Sequence, residues 1–366
     1  MTDTAAAELH IYYEVIMKTV VLLFGGASSE YTVSLSSASG VLANIKSDKY
    51  NLLRVGITRE GRFYLFCGDN AEIKNDTWAQ GEVYPVMLDL SRGVLRVERG
   101  GAMEEYKIDA VLPMIHGKNC EDGTLQGMFA VAGIPVVGCE CASSAVCMDK
   151  AFTKAIVANE TKIRQAAVVV VRSADIEKEG AIDSIRERCE RELSYPMFIK
   201  PSRAGSSVGA SKVKCALTFE SALRAALAED TKVLIEECIV GCEVEVAVLE
   251  ENGRYTVAHP AEIDLGGSEF YDYDTKYVSD VSSFYLPARI SAEKQDEVRG
   301  YAEEIFRALD CRGFSRVDFF YTPEGEFVFN EINTLPGFTP ISMYPKMMIA
   351  EGISYAELID RLIETV

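Results

Sequence analysis

Positive charge is what this chain is shortest of: 37 lysines and arginines stand against 56 aspartates and glutamates, a formal net charge of −19 over 366 residues. So acidic a surface argues against nonspecific nucleic-acid binding and against a place on an anionic membrane. Histidine is scarce, with three in all, and the ten cysteines contain no Cys-x-x-Cys pair. The usual zinc spacings are therefore missing, and the cysteines read as reduced thiols of a cytoplasmic protein. No apolar run approaches the roughly 18 residues of a membrane span. Residues 1–17 carry Asp3, Glu8 and Glu14 and lack the basic start and apolar core of a signal peptide. They read as an N-terminal extension, with Met17 as an alternative start. What remains is ordinary globular composition, 48% hydrophobic and 25% charged, in a chain long enough for two or three subdomains.

The most informative stretch is Arg316–Tyr344, RVDFFYTPEGEFVFNEINTLPGFTPISMY. Two apolar strands, Val317–Tyr321 and Phe327–Ile332, flank a turn at Glu324–Gly325. A two-residue turn would pair Pro323 with Glu326 and set Asp318 opposite Glu331. Alternation puts Glu331 and Asn333 on one face. Two carboxylates and an amide oxygen then converge without sulfur or imidazole, a donor set suited to Mg²⁺ holding a nucleotide phosphate.

The rest of the chain reads as alternating strands, loops and helices. Thr19–Phe24 is a buried strand ending in Gly25-Gly26, followed by a helix over Ser34–Ile45. Strands at Ala110–Ile115 and Ile134–Gly138 bracket the loop His116–Gly123 and a helix from Thr124 to Gly133. The pattern predicts an open parallel α/β domain over 18–143, with ligands at the carboxyl ends of its strands. A second unit, 144–238, holds a helix after Asp149, strands near Ala167–Val171, Tyr195–Lys200 and Lys232–Glu237, and a helix at Phe219–Ala228. A third, 239–366, holds an amphipathic helix at Glu293–Leu309. It also holds the aromatic, charged segment 266–285, whose length without regular structure suggests a lid carrying Lys276 and Tyr277.

Several loops have chemistry in reach. Lys200-Pro-Ser-Arg-Ala-Gly-Ser-Ser-Val-Gly209 follows a strand, and its small residues let backbone N–H groups wrap phosphate oxygens beside Lys200. Its lysine precedes the glycines, so it is not a P-loop; a plain surface loop is the competing reading. Lys150 opens a helix and reads alone as a solvated lysine. Glu236 and Glu243 flank a turn and read either as exposed acids or as an adenosine-side pair. Glu30 sits where a carboxylate could neutralise an ammonium or favour a helix dipole. His116 reads by itself as a hydrogen-bonded loop histidine.

Taken in order, the blocks FGGASSEYTVS, HGKNCEDGTLQG, MDK, KPSRAGSSVG, EFYDYDTKY, GFSRVDFF and NEINTLPGFTPIS resemble the D-alanine–D-alanine ligase family of the ATP-grasp superfamily. The likeness runs from about residue 19 to the C-terminus. It implies a three-domain ATP-grasp fold, with ATP between the central and C-terminal domains. It also implies a two-step reaction: ATP phosphorylates the carboxylate of one D-alanine, and the amine of a second displaces phosphate from the acyl phosphate. By this resemblance Glu30 holds the first ammonium, linked to Ser206 and Tyr277. Lys150, Lys200, Ser206, Ser207 and Lys276 contact ATP phosphates, and Glu236, Glu237 and Glu243 the nucleoside. Asp318, Glu331 and Asn333 match the ligands of two Mg²⁺ or Mn²⁺ ions. Arg316 and the N–H of Gly337 match the oxyanion donors. His116, Lys276, Ser342 and Met343 lie near the substrates. The family further implies a homodimer in the cytoplasm, with D-alanine and ATP as its partners and neither nucleic acid nor membrane.

The sequence departs from the family in three places: Cys120 replaces a glycine, Ala204 replaces a glutamate, and residues 159–166 lack a Gly-Ile-Pro connection. None removes a catalytic group. The competing readings are a ligase taking D-serine or D-lactate second, and a nucleotide-binding regulator without catalysis. Lys276-Tyr277 resembles the dipeptide-forming lid. Met343 is apolar where an arginine would favour D-serine, although an apolar pocket rejects a hydroxyl only about 10²-fold.

Overall fold

The structure is a computed structural model, and it describes residues 17–46, 48–205, 208–264 and 283–366. The first sheet begins with β1 (Lys18–Gly25), an apolar run flanked by helix α1 (Tyr31–Asn44). β1 pairs in parallel with β2 (Tyr50–Ile57) on one side and with β7 (Ala110–Pro113) on the other. Between β2 and β7 the chain runs as an antiparallel meander: β3 (Phe63–Phe66), helix α2 (Asn70–Lys74), β4 (Val83–Asp89), β5 (Val94–Arg99) and β6 (Ala102–Lys107). The strand order is β6-β5-β4-β3-β2-β1-β7. The α/β class is as expected, but the sheet is mixed, because its outer strands keep one face in solvent and need no crossover helix. The short strand expected at Ile134–Gly138 is one parallel bridge, Val111 to Val136. Gly133 and Gly138, at φ +68° and +105°, turn the chain away at both ends. Helix α3 (Thr124–Val131) precedes it.

Helices α4 (Cys141–Met148) and α5 (Lys150–Glu160) lead into a four-stranded antiparallel sheet. Its strands are β8 (Val168–Arg172), β9 (Met197–Pro201), β10 (Ser211–Val213) and β11 (Lys232–Glu237), in the order β10-β9-β11-β8. Helices α6 (Ala181–Glu192) and α7 (Phe219–Glu229) cover it, and Phe219, Leu223, Ile199, Val233 and Ile235 build a separate core.

The third sheet contains β12 (Cys242–Glu251), β13 (Arg254–Val257), β14 (Ala261–Asp264), β15 (Ser283–Tyr285), β16 (Phe314–Tyr321) and β17 (Phe327–Asn333). Its order is β15-β14-β12-β16-β17, with β13 on β12. The end of the segment expected to lack regular structure, 283–285, is thus a strand. Helix α8 (Ala292–Ala308) buries Val298, Ala302, Ile305 and Phe306 against Val244, Val246, Val317, Phe319 and Phe329 on one sheet face. Helices α9 (Met343–Ala350) and α10 (Tyr355–Ile363) complete the chain; Tyr344, Leu358 and Leu362 join the core of the first sheet. The first and third sheets therefore share a core, and the middle sheet has its own.

Candidate active site

The hairpin of β16 and β17 carries the expected pairing by a different route. The Gly325 N–H donates to the Thr322 carbonyl and the Thr322 N–H to the Glu326 carbonyl, both at 2.9 Å. The connection is thus one residue longer than a two-residue turn, and Tyr321 faces Phe327. The ladder slips once more between Asp318 and Phe319, where Asn330 is extra on β17. The two departures cancel, and Asp318 stands opposite Glu331. The bulge also changes faces. Phe327, Phe329 and Ile332 all pack beneath α8, which strict alternation forbids, and Glu331 is released to the opposite face with Asn333.

On that face Glu245 of β12, Asp318 of β16 and Glu331 of β17 lie side by side in register. Arg316 donates to Asp318 through Nε at 2.8 Å and Nη2 at 2.7 Å, and its Nε is 3.3 Å from Glu245 Oε2. Asn333 Nδ2 donates to Asp318 Oδ2 at 2.9 Å. Lys150 Nζ lies 3.2 Å from Glu331 Oε2 and donates to the Ala204 carbonyl at 2.9 Å. Three adjacent carboxylates thus meet two fixed cations and keep an excess of negative charge. No metal-holding group of three or more histidine, cysteine or carboxylate side chains occurs among the described residues. Two carboxylates and an amide oxygen fit instead a Mg²⁺ ion whose shell is completed by phosphate oxygens and water. Glu245 escaped the sequence reading, although the alternation Cys242-Glu-Val-Glu-Val carried the signal.

Lys200, at the end of β9, lies 2.8 Å from Glu236 Oε2 and donates to Asn330 Oδ1 at 3.2 Å. Lys154 holds the other Glu236 oxygen at 3.1 Å. Burial works to raise the Glu236 pKa, but the two lysines outweigh it and keep the carboxyl below its usual range. Glu236 is therefore an ionised bridge between two lysines, and its carboxylate is committed before any adenine arrives. Burial in turn lowers the Lys154 pKa, against the pull of Glu236. Glu237 faces the other way, accepting from the Ala167 N–H at 3.1 Å and pairing with Arg164 at 3.3 Å. Glu243 stands on the site face of β12, opposite Phe320 and Ile263.

At the carboxyl end of β1 the chain turns into α1. Ser28 Oγ accepts the Glu30 N–H at 3.1 Å and donates to the His116 carbonyl at 2.9 Å. Glu30 is buried against two glycines. A Cβ at Gly117 would lie 2.4 Å from its Oε2, and one at Gly205 would lie 3.1 Å away. Ser28, Glu30, Gly117, Lys118, Ala204 and Gly205 line part of a cavity of about 460 Å³. The His116 ring is fully occupied, with Nε2 2.9 Å from Ser37 Oγ and Nδ1 3.0 Å from the Leu335 carbonyl. Burial pushes its pKa down while Glu30 opposes the shift, so the imidazole joins α1 to the loop after β17. Glu121, also missed from sequence, accepts the Gly117 N–H at 3.0 Å. Burial first, then the charge of Glu30, raises its pKa to about 8.

The loop after β17 brings Gly337 against Ser342, whose Oγ would be 2.8 Å from a Cβ at position 337. Ser342 Oγ also accepts the Thr339 N–H at 3.1 Å. Met343 is packed into the first core. Ser206, Ser207, Lys276 and Tyr277, with segment 265–282, lie outside the described residues.

Comparison with known proteins is consistent along the chain. The family described as D-ala D-ala ligase N-terminus matches residues 19–139, and D-ala D-ala ligase C-terminus matches residues 157–364. The D-alanine–D-alanine ligases of Acetivibrio thermocellus and Clostridium novyi are 42% and 44% identical to it; each match covers 95% of this chain and 95% and 97% of theirs. The solved VanG D-Ala:D-Ser ligase from Enterococcus faecalis superposes with a TM-score of 0.86 at 42% identity, covering 95% of this chain and 99% of that one. The D-alanine-D-alanine ligase from Coxiella burnetii gives 0.82 at 29% identity, covering 95% and 93%.

Proposed function

The chain belongs to the D-alanine–D-alanine ligase family, and from that premise we propose how its residues divide the work. It is an ATP-dependent ligase that joins two D-alanines for peptidoglycan synthesis. The observation that carries the assignment of roles is the carboxylate row Glu245–Asp318–Glu331 with Arg316 and Lys150 set into it.

Lys150 and Lys200 meet the ATP phosphates from the sides of helix α5 and strand β9. Asp318, Glu331 and Asn333 would hold Mg²⁺ or Mn²⁺, which would supply positive charge against the transferring phosphoryl group. Glu30 takes the ammonium of the first D-alanine at the cavity wall, and the substrate's carboxylate is the group to be phosphorylated. Arg316 and the Gly337 N–H then donate to the oxyanion that forms when the second amine attacks the acyl phosphate. Such donors are worth about 3–4 kcal/mol each where water is excluded. Ser206, Ser207, Lys276 and Tyr277 are assigned to closure and phosphate contact on the strength of the family motif. Glu243 is assigned to the ribose, and Glu236 and Glu237 border the adenine through the backbone of β11. Ser342 and Met343 border the second substrate. The domains divide at 18–143, 144–238 and 239–366.

The second substrate has one serious competitor, D-serine, favoured by the likeness to the VanG ligase. D-alanine is our reading, because Met343 is buried and offers the second side chain no polar partner. Purified protein given ATP, Mg²⁺ and an equal mixture of D-alanine and D-serine should release phosphate and yield mainly D-alanyl-D-alanine by mass spectrometry. A product that is mainly D-alanyl-D-serine selects the competitor, and no dipeptide at all rejects the ligase roles. No helix among the described residues is long and apolar enough to cross a membrane. Cytoplasmic residence and a homodimer complete the proposal, the latter measurable by light scattering.

A further inference from the structure

Beneath the phosphate-facing lysines lies a buried polar cluster that the ligase chemistry does not touch. Asp149 is 3% exposed, Ser202 0% and Lys232 9%. Asp149 Oδ2 accepts from Lys232 Nζ at 2.6 Å, and Oδ1 accepts from Ser202 Oγ at 2.6 Å. Asp149 also caps α5, accepting the Phe152 N–H at 3.4 Å, and the Lys232 ammonium lies 3.8 Å from the centre of the Phe152 ring. The backbone is locked in the same place. The Lys150 N–H donates to the Ser202 carbonyl at 3.0 Å and the Ser202 N–H to the Lys232 carbonyl at 2.8 Å.

Three elements that belong to different bodies meet here. Val157 of α5 packs into the core of the third sheet, whereas β9 and β11 belong to the core of the middle sheet. Lys150, at the first turn of α5, reaches back across this seam to the Ala204 carbonyl. The loop is tied a second time, to the turn between α7 and β11, since the Arg203 N–H donates to Asp230 at 2.9 Å. The relative position of Lys150 and the 202–205 loop is therefore set by what joins the two bodies at Asp149. A buried ion pair contributes little net stability compared with apolar packing of the same volume, but it fixes geometry through directional bonds.

We propose that Lys232, acting through Asp149 and Ser202, is a positioning residue for ATP. It holds the offset between Lys150 and the 202–205 loop at which both reach the same phosphates. The inference rests on the ligase reading of Lys150 and that loop. It weighs on nucleotide more than on amino-acid binding, because Glu30 and Gly117 are held from the first sheet's side by Ser28 and Glu121, and of the walls around Glu30 only Gly205 lies on the positioned loop.

Steady-state kinetics on wild type, Lys232→Met, Lys232→Arg and Ser202→Ala test it, with Mg-ADP affinity measured by calorimetry and melting temperature recorded alongside. Lys232→Met should raise the KM for ATP and the Kd for Mg-ADP about tenfold, about 1.4 kcal/mol, while the KM for D-alanine stays within about twofold. Lys232→Arg should recover most of the loss, and Ser202→Ala should show a smaller rise of the same kind. An unchanged KM for ATP with a lowered melting temperature overturns the proposal, as does an equal rise in both KM values. Should Lys232→Met fail to fold, Ser202→Ala decides by the same two criteria. A wild-type protein that makes no dipeptide sinks the ligase reading; an active wild type with unshifted variants sinks only this inference.

Discussion

Single atoms decide much of this site. Glu331 reaches Lys150 at 3.2 Å and stands beside Asp318, so Glu331→Gln removes a charge from the carboxylate row while keeping the shape. We expect a loss of about 10²–10³ in kcat, several kcal/mol of transition-state stabilisation, together with a higher Mg²⁺ requirement in a phosphate-release assay. A wild-type Mg²⁺ dependence would remove Glu331 from the metal site. Gly117 is constrained twice, by φ of +74° and by the 2.4 Å that would separate its Cβ from Glu30. Gly117→Ala must push the Glu30 carboxylate aside. The expected result is a KM for the first D-alanine raised about tenfold or more with little change in the KM for ATP. A variant with wild-type amino-acid affinity would show that Glu30 does not hold the ammonium.

At the level of elements, the bulge at Asn330 sorts phenylalanines from carboxylates along β17. Inserting an alanine between Asp318 and Phe319 gives Asn330 a partner, restores strict alternation and drives Asp318 and Glu331 toward the face of Phe329. Burying an unpaired carboxylate there costs several kcal/mol, so the insertion should abolish dipeptide synthesis and sharply lower the melting temperature. Asn330→Ala, which keeps the bulge, should retain the fold. An insertion variant with wild-type activity and melting would refute this account. Helix α10 is fastened to the first sheet by Asp360, which pairs with Lys49 at 2.7 Å and Lys46 at 3.2 Å and accepts from Tyr50. Burial pushes the Asp360 carboxyl upward, but these donors together outweigh it and leave its pKa below the usual value. Its contribution is therefore complete above the unfolded carboxyl pKa of about 3.9 and is lost as pH falls through the folded value. Asp360→Asn should melt lower than wild type at neutral pH, and the two melting curves should converge in acid. A gap that persists below the folded pKa would place the effect elsewhere.

For the molecule as a whole, the division of cores matters more than the count of sheets. The first and third sheets share one apolar cluster, whereas the middle sheet is closed around Phe219, Leu223 and Ile235. Leu223→Ala should destabilise the middle unit by about 2–5 kcal/mol. Hydrogen exchange should then quicken in β8, β9 and β11 while β1 and β7 keep wild-type protection. Uniform loss of protection would mean that the three sheets unfold as one cooperative body. The net charge of −19 fits this arrangement, since the cations proposed to meet phosphate, Lys150 and Lys200, are drawn into the seam between units.

The sequence by itself determined the elements and the donor set. Thr19–Phe24, Lys232–Glu237 and the strands on either side of Gly325 are legible because local periodicity and turn chemistry act over a few residues. Asp318, Glu331 and Asn333 are legible because alternation puts hard oxygens on one face. The meander over residues 50–107 was not legible, because half-solvated antiparallel strands lack a continuous apolar run. Nor was the commitment of Glu236 to Lys154 and Lys200, the row completed by Glu245, or the seam at Asp149. Tertiary structure alone decided these, because each depends on strands far apart in the chain being laid side by side. A bulge and a one-residue longer turn could cancel in the hairpin register for the same reason. Pairing is settled by which face each side chain can bury, and the chain meets that condition only when folded.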